Sequence, residues 1–190
     1  MTSYVIRPTY SPVAGKLQAG YAALAQYIQS SAANIWTIDG TSGNDWGKTR
    51  RELEAELAGS NTCFFDASSA CAEPAPIRAL LAPYLDAQDA NTGKLYSGGV
   101  GDFFDPTRLE KLRAGVHQAA QSARVVICLG PGSSLLASAA QRAWINIPRE
   151  YIQKPARLRQ MRSLAQDTHP LAQSLPYVDE PVLDRQRESL

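Results

Sequence analysis

Gly47, Lys48 and Thr49 are the residues of this chain best suited to chemistry. A lysine between glycine and threonine, at the opening of a helix, can reach the terminal phosphates of a nucleotide, and the hydroxyl can join the shell of Mg²⁺. Backbone N–H groups of a glycine-rich turn and the positive end of the helix dipole attract the same anion. Gly40, Ser42 and Gly43, just upstream, extend the set. The phosphate-cradling spacing is G-x-x-x-x-G-K-[ST], which places the first glycine at position 42, occupied by Ser42. Gly40 and Gly43 fall to either side of it, and Asp45 and Trp46 lie where a cradle should be narrow. The stretch fits equally a plain strand-to-helix turn with Lys48 solvated.

Asp66 and Asp102 are the carboxylates placed for catalysis. Asp66 follows the apolar run Cys63-Phe64-Phe65, and ligands of open α/β sheets sit just beyond the C-terminal ends of strands. It is expected either to hold Mg²⁺ through water or accept a substrate proton, or to cap a turn. Asp102 follows the glycine-bearing polar stretch 86–100, read as a mobile loop that either contacts a ligand or is merely flexible. Asp105, just before Pro106, is the expected N-cap of the next helix. Arg157 and Arg159 lie on a basic helical stretch, Arg149 to Arg162. They are expected to close over phosphates as a lid, or to form a solvated face. Gly130 to Ser134 is a second candidate anion nest.

The elements that must position these groups follow from periodicity. Ile35, Trp36 and Ile38 predict a buried strand, and Leu53, Ala55 and Leu57 the inner stripe of the helix after the loop. An amphipathic helix is expected over Lys16 to Gln29, and others over Ile77 to Leu85, from Asp105-Pro106-Thr107 through Ala120, and over Leu135 to Ala143. Val125 to Leu129 is an unbroken apolar run, as in parallel strands covered on both faces. Cys63–Phe65 and Ala143–Pro148 are expected as shorter strands. Strands alternating with helices imply an α/β fold: a doubly wound, mostly parallel sheet with helices on both faces. One domain is expected over 1–164, with 165–190 as a linker-like tail in which Tyr177-Val178 could add an edge strand.

Bulk properties exclude several function classes. A net charge of +1 gives no electrostatic drive toward nucleic acid or an anionic membrane. No apolar run approaches a membrane span and no signal-peptide core opens the chain, so a cytoplasmic location is expected. Three cysteines without a C-x-x-C, and two histidines, argue against a disulfide framework, a zinc site or a Ser-His-Asp triad. Cys63 and Cys128 are expected in the core.

Ile38-Asp39-Gly40-Thr41-Ser42-Gly43, followed by Gly47-Lys48-Thr49, resembles the opening of uridine kinase-like P-loop kinases, where I-D-G-x-S-G-x-G-K-T follows the first core strand. Phe64-Phe65-Asp66 is similar to a strand ending in an acidic pair there, with one acid kept. Val125 to Gly130 is similar to a V-V-x-x-E-G strand, with Leu129 in place of the glutamate, and Trp144 to Glu150 to a strand running into an arginine-bearing helix. Asp102-Phe103-Phe104-Asp105-Pro106, Gly130-Pro131-Gly132 and Tyr177 to Arg185 narrow the resemblance to the kinase-like N-terminal segment of some bacterial class I mannose-6-phosphate isomerases.

The resemblance implies a P-loop NTPase-like fold and ATP or GTP with Mg²⁺ as cofactor. Lys48 would hold the phosphates, Thr49 and Asp66 the metal, Asp66 or Asp102 would act as base, and Arg157 or Arg159 as lid. It implies a nucleotide or sugar phosphate as ligand, and an isomerase domain or a second copy as partner. The two residues inserted between Gly43 and Gly47, with the missing second acid and glutamate, should impair turnover more than binding. A weak or degenerate phosphotransferase is the first expectation. A non-catalytic regulatory or docking domain of sugar-phosphate metabolism is the alternative.

Overall fold

The computed structural model describes residues 18–85, 93–138, 140–148, 163–165 and 174–189. Its framework is a four-stranded sheet: β1 (Ile35–Gly40), β2 (Thr62–Asp66), β3 (Val125–Leu129) and β4 (Gln141–Ile145). The order is β2-β3-β1-β4, and every pairing is parallel. The chain is therefore α/β with an all-parallel sheet.

Helices cover both faces. The period-two alternation of β1 turns Trp36 and Ile38 toward α1 (Gly20–Ser30) and α2 (Trp46–Glu56), where Ala25, Ile28, Leu53 and Leu57 complete one apolar cluster with Val125, Ile127 and Leu129. Val126 and Cys128 point the other way. They pack with Ile77 and Leu81 of α3 (Pro74–Leu81), Leu109 and Val116 of α4 (Pro106–Ala119), and Val182 and Leu183 of α5 (Glu180–Glu188). Burial of β3 on both faces explains its unbroken apolar run. None of the described helices is long and apolar enough to cross a membrane.

The elements start where local chemistry starts them. Asp105 caps α4 by accepting the Arg108 N–H at 2.8 Å, with Pro106 at the first helical position. Glu73 precedes α3, which likewise opens on a proline. Gly59, at φ 83°, lets the chain turn after α2.

Two expectations are corrected. The alanine-rich stretch 135–143 is not a helix. It holds the end of a 3-10 turn (Ser133–Leu135) and the start of β4. Pairing of Gln141–Ile145 with Trp36–Gly40 satisfies an open edge of β1, a tertiary gain that outweighs alanine's small helical preference. The tail is also not structureless over its described part. Residues Leu175–Asp179 form a π-helical turn running into α5, with Val178, Val182 and Leu183 almost fully buried. An edge strand at Tyr177-Val178 is excluded by the same geometry. The basic stretch 149–162, with Arg157 and Arg159, lies outside the described residues, as does 86–92 of the polar loop.

Candidate functional site

The C-terminal ends of β1 and β3, central in the sheet, define the site. From β1 the chain leaves toward β2, and from β3 it leaves toward β4, so adjacent strands send their connections in opposite directions. Ligands of open parallel sheets collect at such a point. The glycine loop 41–45 follows β1 and feeds α2, while Gly130–Ser134 follows β3.

The glycines of the first loop serve different purposes. Gly40 belongs to β1, and a Cβ there would lie 2.5 Å from the Ile145 carbonyl oxygen, so the fold itself needs the close approach of β4. Gly43 has φ 91°, a left-handed conformation that a side chain would strain. Gly47 differs. It sits in the first turn of α2 without a positive φ, it is exposed, and a Cβ would meet only ordinary contacts at 3.4 and 3.5 Å. Neither backbone conformation nor packing requires a glycine at 47.

The polar groups around that turn are largely committed. Asp45 caps α2 and accepts the Lys48 N–H at 2.8 Å. Lys48 is exposed, and its side chain makes no ion pair among the described residues. Thr49 is fully buried; its hydroxyl lies 3.1 Å from both the Tyr21 hydroxyl of α1 and the Asn44 amide nitrogen, which donates to it. Thr49 thus joins α1 to α2 and the loop. Ser42 is buried.

A residue that sequence reasoning passed over holds the site together. Alternation along β1 places Asp39 on the face opposite Trp36 and Ile38, buried beneath the second loop. Its carboxyl accepts the Gly40 N–H at 3.0 Å and the Gly132 N–H at 3.0 and 3.1 Å. It also accepts the Ser134 hydroxyl at 3.0 Å and, more distantly, the Ser134 N–H at 3.4 Å. Burial raises its pKa above the usual carboxylate range, and the Gly40, Gly132 and Ser134 donors oppose that shift. The Gly130–Ser134 nest is therefore filled by an internal carboxylate. Gly132, at φ 82°, has no room for a Cβ against the Phe104 ring. The I-D-G string at a strand end was the available signal, but only tertiary packing assigns its acceptor role.

The two proposed catalytic carboxylates make no hydrogen bond to Asp39 or its donors and serve local turns instead. Asp66 is exposed at the end of β2 and accepts the Ser68 N–H at 2.9 Å, capping the 3-10 turn Ala67–Ala70. It faces the Gly130 turn, where a Cβ would stand 3.6 Å from its Oδ1. Asp102 accepts the Tyr96 hydroxyl and the Gly99 N–H, both at 2.8 Å. Burial, then Asp102, raises the Tyr96 pKa.

The C-terminal segment joins the centre instead. Asp179 is fully buried; its Oδ1 accepts the Leu164 N–H at 2.8 Å and its Oδ2 has no partner among the described residues. Burial pushes its pKa up to about 7, against the influence of the Leu164 N–H and the Ser163 and Ser42 hydroxyls beside it. Gln186 of α5 donates its amide to the Ser134 hydroxyl. No group of three or more His, Cys, Asp or Glu side chains suited to a metal occurs among the described residues.

A family profile described as Domain of unknown function (DUF8485) matches residues 20–190. No curated protein and no solved structure matches the chain.

Proposed function

The chain belongs to the DUF8485 family of domains of unknown function, and we propose that it is a P-loop-kinase-like domain holding a phosphate-bearing ligand, a nucleotide or a phosphorylated sugar, with little or no phosphoryl transfer. Gly47 carries this reading. A glycine in a helix costs about 0.5–1 kcal/mol relative to alanine, and the fold gives no return for it at this position. A phosphate resting against the backbone of the first turn would require a bare Cα there. Lys48, exposed beside it, supplies the cation.

Weak or absent turnover follows from the committed groups. Phosphoryl transfer depends on positioned metal and charge, yet the Thr49 hydroxyl is engaged by Tyr21 and Asn44, and Asp66 caps its own turn. Mg²⁺ with ATP or GTP remains the cofactor to test, and a metal would gain Thr49 and Asp66 only by displacing these partners. Arg157 and Arg159 remain the proposed lid.

One observation favours a second reading, a non-catalytic regulatory or docking domain that serves an isomerase or a second copy of the chain. The Asp45 carboxylate already occupies the N-terminus of α2, where an anion would rest. Calorimetric titration with pyrophosphate, Mg²⁺–ATP and Mg²⁺–GTP separates the two readings. Saturable binding, weakened at least about tenfold in Lys48→Ala by loss of a charged contact, supports the ligand reading. Absence of binding at millimolar ligand refutes it and leaves the docking role.

A further inference from the structure

The residues around the glycine loop do not suit a divalent cation. Mg²⁺ takes near-octahedral oxygen ligands at about 2.0–2.1 Å and keeps several waters around it. The Thr49 hydroxyl, which such a metal would have to reach, belongs to a fully buried residue. It accepts the Asn44 amide at 3.1 Å and meets the Tyr21 hydroxyl of α1 at 3.1 Å, so at most one lone pair is left and solvent does not reach it. Carboxylates at the strand ends and in the loop are committed as well. Asp39 accepts from Gly40, Gly132 and Ser134, Asp45 from the Lys48 N–H, and Asp66 from the Ser68 N–H. A metal shell would have to break these bonds, so the donor set does not fit the cation that the resemblance implies.

Positive charge comes from side chains instead. Arg51 lies one helical turn beyond Gly47, and helical side chains lean toward the N-terminus, over the preceding turn. A Cβ on Gly47 would stand 3.4 Å from the Arg51 Nη1, so this guanidinium lies against the bare Cα. Like Lys48, Arg51 is exposed and enters no ion pair among the described residues. Arg50 differs. Its Nε holds the Glu54 carboxylate at 2.7 Å, and its guanidinium lies 5.8 Å from the centre of the Phe64 ring. Asp45 Oδ1 would stand 3.5 Å from the same Cβ on Gly47. An anion at this turn therefore meets a carboxylate, and is held only where Lys48 and Arg51 act on it together.

We propose that the site takes its phosphate without a divalent cation, through Lys48 and Arg51, and that its ligand is a phosphate monoester rather than a Mg²⁺–nucleoside triphosphate. This deepens the phosphate reading given above and rests on it. A monoester such as phosphoserine carries about −1.5 to −2 charge at pH 7, which two side-chain cations offset. A triphosphate, with more charge, ordinarily relies on a metal as well. The planar guanidinium of Arg51 can donate two parallel N–H bonds to phosphate oxygens, and Lys48 adds a point charge.

Calorimetric titration of the full chain with phenyl phosphate, and with pyrophosphate as a second probe, in EDTA and again in millimolar Mg²⁺, tests this. Affinity in EDTA should equal or exceed that in Mg²⁺, because the metal masks the charge that Lys48 and Arg51 bind. Arg51→Ala should weaken binding in EDTA at least about tenfold. Arg50→Ala removes the same charge from an ion-paired neighbour and should change affinity less than about twofold. Both arginines are exposed, so neither variant threatens the fold. Asp45→Asn, which keeps a capping side chain, should tighten binding, whereas a carboxylate serving a metal would make the same change weaken it. Binding that needs Mg²⁺, or equal losses in the two arginine variants, overturns the proposal and leaves the phosphate reading standing. Absence of binding by both probes in both buffers refutes the phosphate reading itself, and this proposal with it.

Discussion

Replacing Asp39 by alanine tests whether this carboxylate is the organising acceptor of the site. The substitution leaves the Gly132 N–H and the Ser134 hydroxyl, each about 3 Å from the carboxyl, without an acceptor inside the fold. The Gly40 N–H loses a partner too. Each orphaned buried donor costs roughly 1–3 kcal/mol, so two strongly held donors cost about 2–6 kcal/mol. Removing the buried carboxyl returns part of its desolvation cost, which burial makes the leading influence on its pKa. The expected net loss lies in the lower half of that range, about 2–4 kcal/mol. Urea unfolding at neutral pH, followed by tryptophan fluorescence, measures it; the slope with denaturant should be unchanged. Asp39→Asn adds a test of sign. A raised folded pKa means that the native state binds the proton more tightly than the unfolded chain, so this group's contribution falls as pH rises from 3.8 toward its raised value. The advantage of the wild-type chain over the Asp39→Asn variant should therefore be greatest in acid and narrow with rising pH. A loss below about 1 kcal/mol in the alanine variant, or a gap that widens with pH, would refute the assignment.

Gly47→Ala should raise stability by about 0.5–1 kcal/mol in the same unfolding assay, while weakening pyrophosphate binding; a destabilised variant would show that the fold does need the glycine. Val182→Ala should cost about 2 kcal/mol, because Val182 is 1 % exposed in the core cluster of α5. A change near zero would mean that the C-terminal segment does not contribute to the cooperative fold. Thiol labelling of the native protein at pH 8 should reach the half-buried Cys63 and Cys71 and spare Cys128. The Cys128 thiol is buried, with its pKa pushed up to about 12, and rapid native labelling there would contradict its place in β3.

Much of the framework was legible in order along the chain. The apolar run of β3, the alternation in β1 and the 3–4 spacing in α2 each encode one element through contacts that recur within a few residues. The chain's β-to-α rhythm carried the α/β class, and Asp105-Pro106 marked the start of α4. Boundaries shifted where neighbours intervened. Trp46, not Lys48, opens α2, because Asp45 caps it. At 135–143 the alanine-rich composition favoured a helix, while a distant strand edge determined the outcome.

The site divided along the same line. Sequence alone located the glycine loop, Lys48, and the acid at the end of β2, because each motif lies within a dozen residues of a recognisable element. It did not reveal that the Thr49 hydroxyl turns inward to Tyr21, 28 positions away, or that Asp39 serves Gly132 and Ser134, more than 90 positions on. Nor did it show that a tail rich in proline and charge returns to place Asp179 beside Ser42. Local patterns record which residues can form a helix, a strand or a turn. Which buried polar group meets which donor depends on how the strands are ordered, and β2-β3-β1-β4 is a property of the assembled sheet.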